Sequence, residues 1–176
     1  IKTVRTHQPN AVIFSDNGPD VRWVGTEKGF ANPTNWCTLN KDDYYPGTWD
    51  YIDLRSGNKN GTHWIPAEVN TSIRPGWYYH KEQDDYVKSV DHLELIYYNG
   101  VGRNGNFLLN LPVDRRGLVH EKDSAALIEL RTRLDATFTK NYALNASVSA
   151  TETRGEGYDA GNIVDDKKTT YWATND

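Results

Sequence analysis

Apolar positions along the chain fall into two periodicities. From Glu121 to Phe138 the leucines at Leu127, Leu130 and Leu134 are spaced three and four apart among charged residues, which predicts the clearest amphipathic helix. Val90, Leu93, Ile96 and Tyr97 repeat that spacing and predict a second helix over 89–98. Short apolar runs bounded by turn residues predict buried strands instead. One is Ala11–Phe14, which runs into the polar loop Ser15-Asp-Asn-Gly18. Another is Phe107–Leu111, ended by Pro112 and Asp114-Arg-Arg-Gly117. His63–Val69 is also strand-like, and 1–7 reads as a helix end closed by Gln8-Pro9-Asn10.

Residues 18–60 show little periodicity and are rich in Gly, Pro, Asn, Asp and Trp. So long an irregular stretch inside a compact domain is usually functional. The order strand, loop, strand, helix, strand, helix predicts an α/β fold of parallel units. In a β/α barrel the loops at strand C-termini form the active face, and Asp16, Glu27 and Glu68 are expected at or just beyond such ends. Three strands do not close an eight-stranded barrel, so the pattern fits either a small α/β domain or the back part of a larger one. After Asn141 the character changes. Ala143–Glu152 is small, polar and alternating, as in an antiparallel strand.

Composition narrows the function classes. The chain has 176 residues and a net charge of −4, which gives no basic face for nucleic acid. Its hydrophobic fraction of 37% is low, but 11 Tyr, 6 Trp and 4 Phe supply rings that suit half-wet sites. No apolar run is long enough to span a membrane. The chain contains no Met, and Ile1 reads as a cut or processed start, so the lack of a signal peptide says nothing about compartment. Cys37 is the only cysteine, excluding an internal disulfide, and reads as buried and inert.

The densest chemistry lies in 61–80. Glu68, His63, His80, Arg74, Trp64, Trp77, Tyr78 and Tyr79 share this short stretch. Sugars present apolar ring faces to aromatics and hydroxyls to His, Arg and carboxylates, so this mixture points to a sugar site. Trp64 and Trp77 are candidates for stacking and Arg74 and His80 for hydroxyl donors; core packing is the competing role for each. The spacing of His63, Glu68 and His80 matches no zinc pattern, and Gly100-Val-Gly102 lacks the rest of a phosphate loop, so no metal or cofactor is expected. Asp42-Asp43 and Asp84-Asp85 read as solvated loop charges. Asn60, Asn70 and Asn145 open formal glycosylation sequons, with Asn70 an unsuitable place for a glycan inside the proposed site.

Three stretches carry a resemblance. Gly18-Pro-Asp-Val-Arg-Trp-Val-Gly-Thr-Glu27 is similar to a G-P-D-[IV]-R-W-x-G-N-E motif, with Thr26 where Asn is usual. Gly102-Arg-Asn-Gly-Asn-Phe-Leu-Leu-Asn-Leu-Pro112 is similar to G-x-N-G-x-[LF]-L-L-N-[LI]-x-P. With 61–80, they resemble the retaining α-L-fucosidases of glycoside hydrolase family 29, over about residues 1–138. The first motif is that of the branch acting on α-1,3- and α-1,4-linked fucose. In the tail, Asn162-Ile-Val-Asp-Asp166 and Thr169-Thr-Tyr-Trp-Ala173 resemble the opening of a discoidin-like carbohydrate-binding β-sandwich, which Asp176 cuts short.

The resemblance implies the C-terminal part of a (β/α)8 barrel over 1–141, then the start of a β-sandwich module over 142–176. It implies hydrolysis of terminal α-L-fucose from branched, Lewis-type oligosaccharides, with a secreted or periplasmic location following from the substrate class alone. Glu27 takes the place of the acid/base, and Glu68 is its rival or a pocket residue that pairs with Arg74. A surface loop glutamate is the competing reading of Glu27. The nucleophile, an aspartate in a W-F-D-G type motif, is expected upstream of Ile1, since Asp16 matches the following strand. By this reading the 176 residues alone hydrolyse nothing. A non-catalytic glycan-binding protein on a barrel scaffold is the alternative, and another retaining glycosidase, on α-galactosides or α-xylosides, the third reading. Oligomeric state is not legible.

Overall fold

The computed structural model describes residues 1–16, 18–44 and 51–175, with the backbone alone at Tyr51. Asn17 of the expected Ser15–Gly18 loop and residues 45–50 of the irregular stretch lie outside them. By chain contacts the molecule divides into Ile1–Thr132 and Arg133–Asp176.

The first unit is α/β. Helix α1 (Lys2–His7) leads to β1 (Phe14–Ser15), β2 (Val21–Trp23), β3 (Thr38–Leu39) and α2 (Tyr51–Ser56). Then come β4 (His63–Trp64), β5 (Ala67–Ser72), α3 (Val90–Gly100), β6 (Asn106–Asn110) and α4 (Glu121–Phe138), which crosses the division. Four strands form one parallel sheet in the order β1-β2-β5-β6, and β3 pairs with β4 as a separate antiparallel ribbon. Val21–Trp23 is a strand hidden in the aperiodic stretch, and α2 is a helix hidden there too. Pro66 breaks the expected His63–Val69 strand in two, because a proline has no N–H to give a ladder.

The sheet has two unlike faces. Arg22, Val24, Ala67, Val69 and Thr71 are buried, and Phe107 packs against the Val24–Ala31–Ala67–Val69 cluster. The register aligns Trp23 with Glu68 and Asn106, Asn70 with Leu108, and Ser72 with Asn110 on the other face. That face is polar and, from Glu68 to Leu108, part-exposed or exposed. The expected burial of the first and last strands therefore fails here. Phe14 is 40% exposed because β1 is a sheet edge, and Leu108 is 42% exposed because it points to the open face.

Arg22 anchors the long excursion between β2 and β5. Its guanidinium is fully buried and meets no carboxylate among the described residues. It donates to the carbonyls of Leu54 (2.8 Å), Ile65 and Trp36 (2.7 Å) and to Asn35 Oδ1 (2.5 Å). Burial among neutral acceptors pulls its pKa down to about 10. Under this clamp Leu39, Leu54 and Ile65 form a second small core.

Helix α3 starts at Ser89, whose Oγ accepts the His92 N–H at 3.3 Å. It presses closely on the sheet, since a Cβ on Gly100 would stand 2.6 Å from Val69 Cγ2. Cys37, expected to be buried, is half-buried, with its Sγ accepting from Asn104 Nδ2 at 3.2 Å.

The second unit has no strand among its described residues, so the expected strand over 143–152 is absent. A strand needs a partner for its backbone groups, and here those groups are met by turns and single long-range bonds. Asn145 N–H reaches the Val164 carbonyl at 2.9 Å and Arg154 N–H the Ala173 carbonyl at 2.7 Å. Asn162 donates to the carbonyls of Gly157 and Tyr171, and the rings of Tyr158 and Tyr171 meet edge-on at 5.2 Å.

Gly29 holds the turn after β2 against α3 with φ +80°, where a Cβ would stand 2.6 Å from Ile96 Cγ2. Gly29→Ala adds left-handed strain and overpacking together, a cost of about 2–4 kcal/mol. Urea unfolding should show that loss.

Candidate active site

Two loops leave the C-terminal side of the sheet and meet. The first, after β2, is pinned at both ends. Val24 is buried at its start, while at its end Ala31 N–H donates to the Asn99 carbonyl (3.0 Å) and Arg103 Nη1 donates to the Ala31 carbonyl (2.7 Å). Glu27 rides on the exposed crest between these anchors. The second loop, after β5, is closed at its neck, where Lys88 N–H donates to the Ile73 carbonyl at 2.9 Å and Lys88 Nζ to the Ser72 carbonyl at 2.6 Å. Trp77 projects from it, and its indole N–H donates to Glu27 Oε2 at 2.9 Å across 50 residues of sequence. A second indole, Trp23, donates to Asn70 Oδ1 at 2.7 Å on the open face of the sheet.

Arg74 holds the second loop from beneath. It is fully buried, with Nε on both oxygens of Asp123 in α4 (3.0 and 2.9 Å), Nη1 on Asp84 (2.8 Å), and its guanidinium 5.1 Å from the Tyr79 ring centre. Desolvation pulls the Arg74 pKa down, but bonds to Asp123 and Asp84 outweigh it and leave it raised. Arg74 in turn holds the Asp84 carboxyl below its usual range. Asp84, Tyr79 and His120 border a surface cavity of about 550 Å³. Lys81, Arg115 and Arg116 line it together with Glu82, Asp84, Asp114 and Glu121, so its charges are mixed and nearly cancel.

A carboxyl group on an exposed strand-end loop, with one oxygen held by an indole, can give or take a proton at a bound substrate. Comparison with known proteins gives that group a context. No family model matches the chain. Over 169 residues it is 40% identical to α-L-fucosidase 1 of Arabidopsis thaliana, covering 94% of this chain and 33% of that protein. The solved structure of SpGH29 matches 99% of this chain and 38% of its own, with a TM-score of 0.90 and 33% identity. A family 29 fucosidase from Ruminococcus gnavus, solved with fucose, matches 99% of this chain and 37% of its own, with a TM-score of 0.79 and 28% identity. The chain is thus similar to part of known α-L-fucosidases, among them members of glycoside hydrolase family 29. The chain spans about a third of the length of the curated relatives it matches.

The structure separates residues that the sequence places together. Trp64 and Trp77 lie beyond opposite ends of β5, whose six residues span roughly 20 Å. Trp64 is 72% exposed on the β3–β4 ribbon. Glu68 is the second residue of β5, far from its C-terminal end, and accepts from Asn106 Nδ2 at 2.9 Å, so it does not lie at a strand C-terminus as expected. Nor does it pair with Arg74, whose partners are Asp84 and Asp123. Arg74 therefore has Nε and Nη1 committed to protein carboxylates, while its buried Nη2 meets no partner among the described residues. Asp16 does follow the end of β1, where Ser15 Oγ donates to it at 3.1 Å. His80 is exposed. Glu27 is exposed, and the indole that reaches it is that of Trp77, not of its motif neighbour Trp23. Asn70 is half-buried in β5 and occupied by Trp23.

Sequence reasoning missed Asp84, Asp123 and Ser72. In the sequence Asp84 reads as a solvated charge and Asp123 is one charge among many in the α4 pattern; the burial of Arg74 that turns both inward leaves no local signal. Asp123→Ala leaves that guanidinium buried beside one partner and should cost about 3–5 kcal/mol in chemical denaturation.

The turn after β6 is set by Asp114, whose carboxylate takes the Arg116 guanidinium at 2.6 and 2.9 Å and the N–H groups of Arg116 (2.7 Å) and Leu118 (3.4 Å). The Arg116 guanidinium is the chief reason its pKa falls from 3.8 to about 2. A lowered carboxylate pKa stabilises the fold in full above the unfolded value, and that stabilisation is lost as pH falls through the folded one. Asp114→Asn should lower the melting temperature at pH 7, with the gap from the unmodified protein closing between about pH 4 and pH 2.

Proposed function

We propose that this chain is the C-terminal part of a (β/α)8 barrel of a retaining α-L-fucosidase, with Glu27 as acid/base. The observation that carries the reading is the Trp77–Glu27 contact, which joins two motif-bearing loops on the C-terminal side of one parallel sheet. The fucose complex of the Ruminococcus gnavus fucosidase supports the sugar. The polar face around Trp23, Glu68, Asn70 and Asn106 is the barrel interior in this reading, and the remaining strands, with the nucleophilic aspartate, precede Ile1.

The chemistry follows from two carboxyl groups on either side of one bond. Glu27 gives its proton to the glycosidic oxygen as the aspartate attacks the anomeric carbon, forming a covalent fucosyl-enzyme and releasing the rest of the glycan. The Glu27 carboxylate then takes a proton from water, which attacks the same carbon and frees the aspartate, so the configuration is retained. Trp77 holds Glu27 and offers its ring to the sugar, while Arg74 acts through the loop rather than on a hydroxyl. The motif around Glu27 supports α-1,3- and α-1,4-linked fucose on Lewis-type glycans as substrate, and that substrate supports a secreted or periplasmic place of work. The tail over 142–176 is the start of a discoidin-like module.

In the protein that contains this chain with the remaining barrel strands, Glu27→Gln should reduce fucose release from a Lewis-type trisaccharide by about 10²–10⁴-fold. Release that survives would move the acid role, first to Glu68. No release by the unmodified protein, from this sugar or an aryl fucoside, would point to glycan binding without catalysis.

A further inference from the structure

Trp77 stands in a loop of bends with no ladder of its own, and its grip on Glu27 depends on what fixes its backbone. Asn110, the last residue of β6, supplies that. Its side-chain amide donates to the Trp77 carbonyl at 3.0 Å and to Ser72 Oγ at 3.0 Å. Ser72 passes its own proton to the Gly76 carbonyl at 2.7 Å, and the Gly76 N–H donates to Gln83 Oε1 at 3.3 Å. The peptide planes on both sides of the Trp77 Cα are therefore held, one by Asn110 directly and one through Ser72. Two fixed planes leave no freedom in the direction of the Cα–Cβ bond, so the root of the indole is placed and the bond to Glu27 selects its rotamer.

The amide orientation is set by the network. Ser72 Oγ has spent its proton on Gly76, and the Trp77 carbonyl is an acceptor only. Both neighbours of the Asn110 amide nitrogen therefore need a donor, and a flipped amide would put oxygen against oxygen. Aspartate has no such donor and serine has fewer.

We propose that Asn110 is a positioning residue for the reaction: through Trp77 it fixes where the Glu27 carboxyl sits relative to the leaving oxygen. The proposal rests on Glu27 being the acid/base. It separates from a purely structural role by leaving group. A sugar alkoxide must be protonated as it departs, whereas a strongly acidic phenol leaves without that help, so a misplaced acid slows only the first.

The test uses the protein that contains this chain with the remaining barrel strands. The ratio of kcat/KM on a Lewis-type trisaccharide to kcat/KM on an aryl α-L-fucoside with a strongly acidic phenol is measured for Asn110→Leu, Ser72→Ala, Trp77→Phe, Glu27→Gln and the double variant of Asn110→Leu with Trp77→Phe. Asn110→Leu should lower that ratio about 10–100-fold, Ser72→Ala less but in the same direction, and Asn110→Leu should have no further effect once Trp77 is Phe. Ser72→Ala keeps the test alive if Asn110→Leu fails to fold. Equal losses on both substrates, an unchanged ratio, or full additivity with Trp77→Phe would overturn the proposal. If Glu27→Gln shows the split and Asn110→Leu does not, only the positioning role falls. If Glu27→Gln spares the trisaccharide, the acid/base reading itself falls.

Discussion

Two arginines without access to water hold the first unit together, and they do so by opposite chemistry. Arg22 stays in a shell of carbonyl oxygens, where four acceptors replace the water it gave up but no anion among the described residues balances its charge. Arg74 takes two carboxylates instead. A buried guanidinium has planar donors in fixed directions, so whatever accepts them is fixed too. Arg22 thereby fastens segments near residues 36, 54 and 65 to the second strand, and Arg74 fastens the loop after the fifth strand to the last helix. The contact between Trp77 and Glu27 lies between these two anchors and inherits its precision from both.

Division of labour between the sheet faces explains why the residue types alternate as they do. Along Ala67–Ser72 the odd positions are small or β-branched and pack towards α3, while the even ones, Glu68, Asn70 and Ser72, are polar. That is unusual for a parallel strand, which ordinarily reads as a continuous apolar run. Here the polar side is where the hydrogen bonds of Trp23, Asn106 and Asn110 are made.

What was legible in the sequence follows from the range of the interactions. Helices α3 and α4 could be read because their periodicity is local, and β6 because an apolar run between turn signals is local as well. Strand β2 was hidden because Val21–Trp23 carries an arginine where an apolar residue is expected, and only the carbonyls of Leu54, Ile65 and Trp36 make that arginine tolerable. Glu27 and Trp77 were found through motifs, yet the bond between them was not visible. The burial of Arg74 and its bond to Asp123 were hidden because Asp123, 49 residues away, cannot be seen from its neighbourhood. Trp64 and Glu68 were grouped with Trp77 by proximity in sequence, but an extended strand carries neighbours far apart in space.

The separation in sequence of the paired residues has a bearing on folding order. Arg22 meets Ile65 across 43 residues, Arg74 meets Asp123 across 49, and Trp77 meets Glu27 across 50. Each contact closes a long loop, and the entropy of that closure must be met before the contact returns anything. Helices α3 and α4 can form early on local contacts, but the acid and its indole come together only when β2 and β5 are already side by side. A collapsed intermediate with native helices would thus carry none of the site's geometry, and the appearance of that geometry would report completed assembly of the sheet.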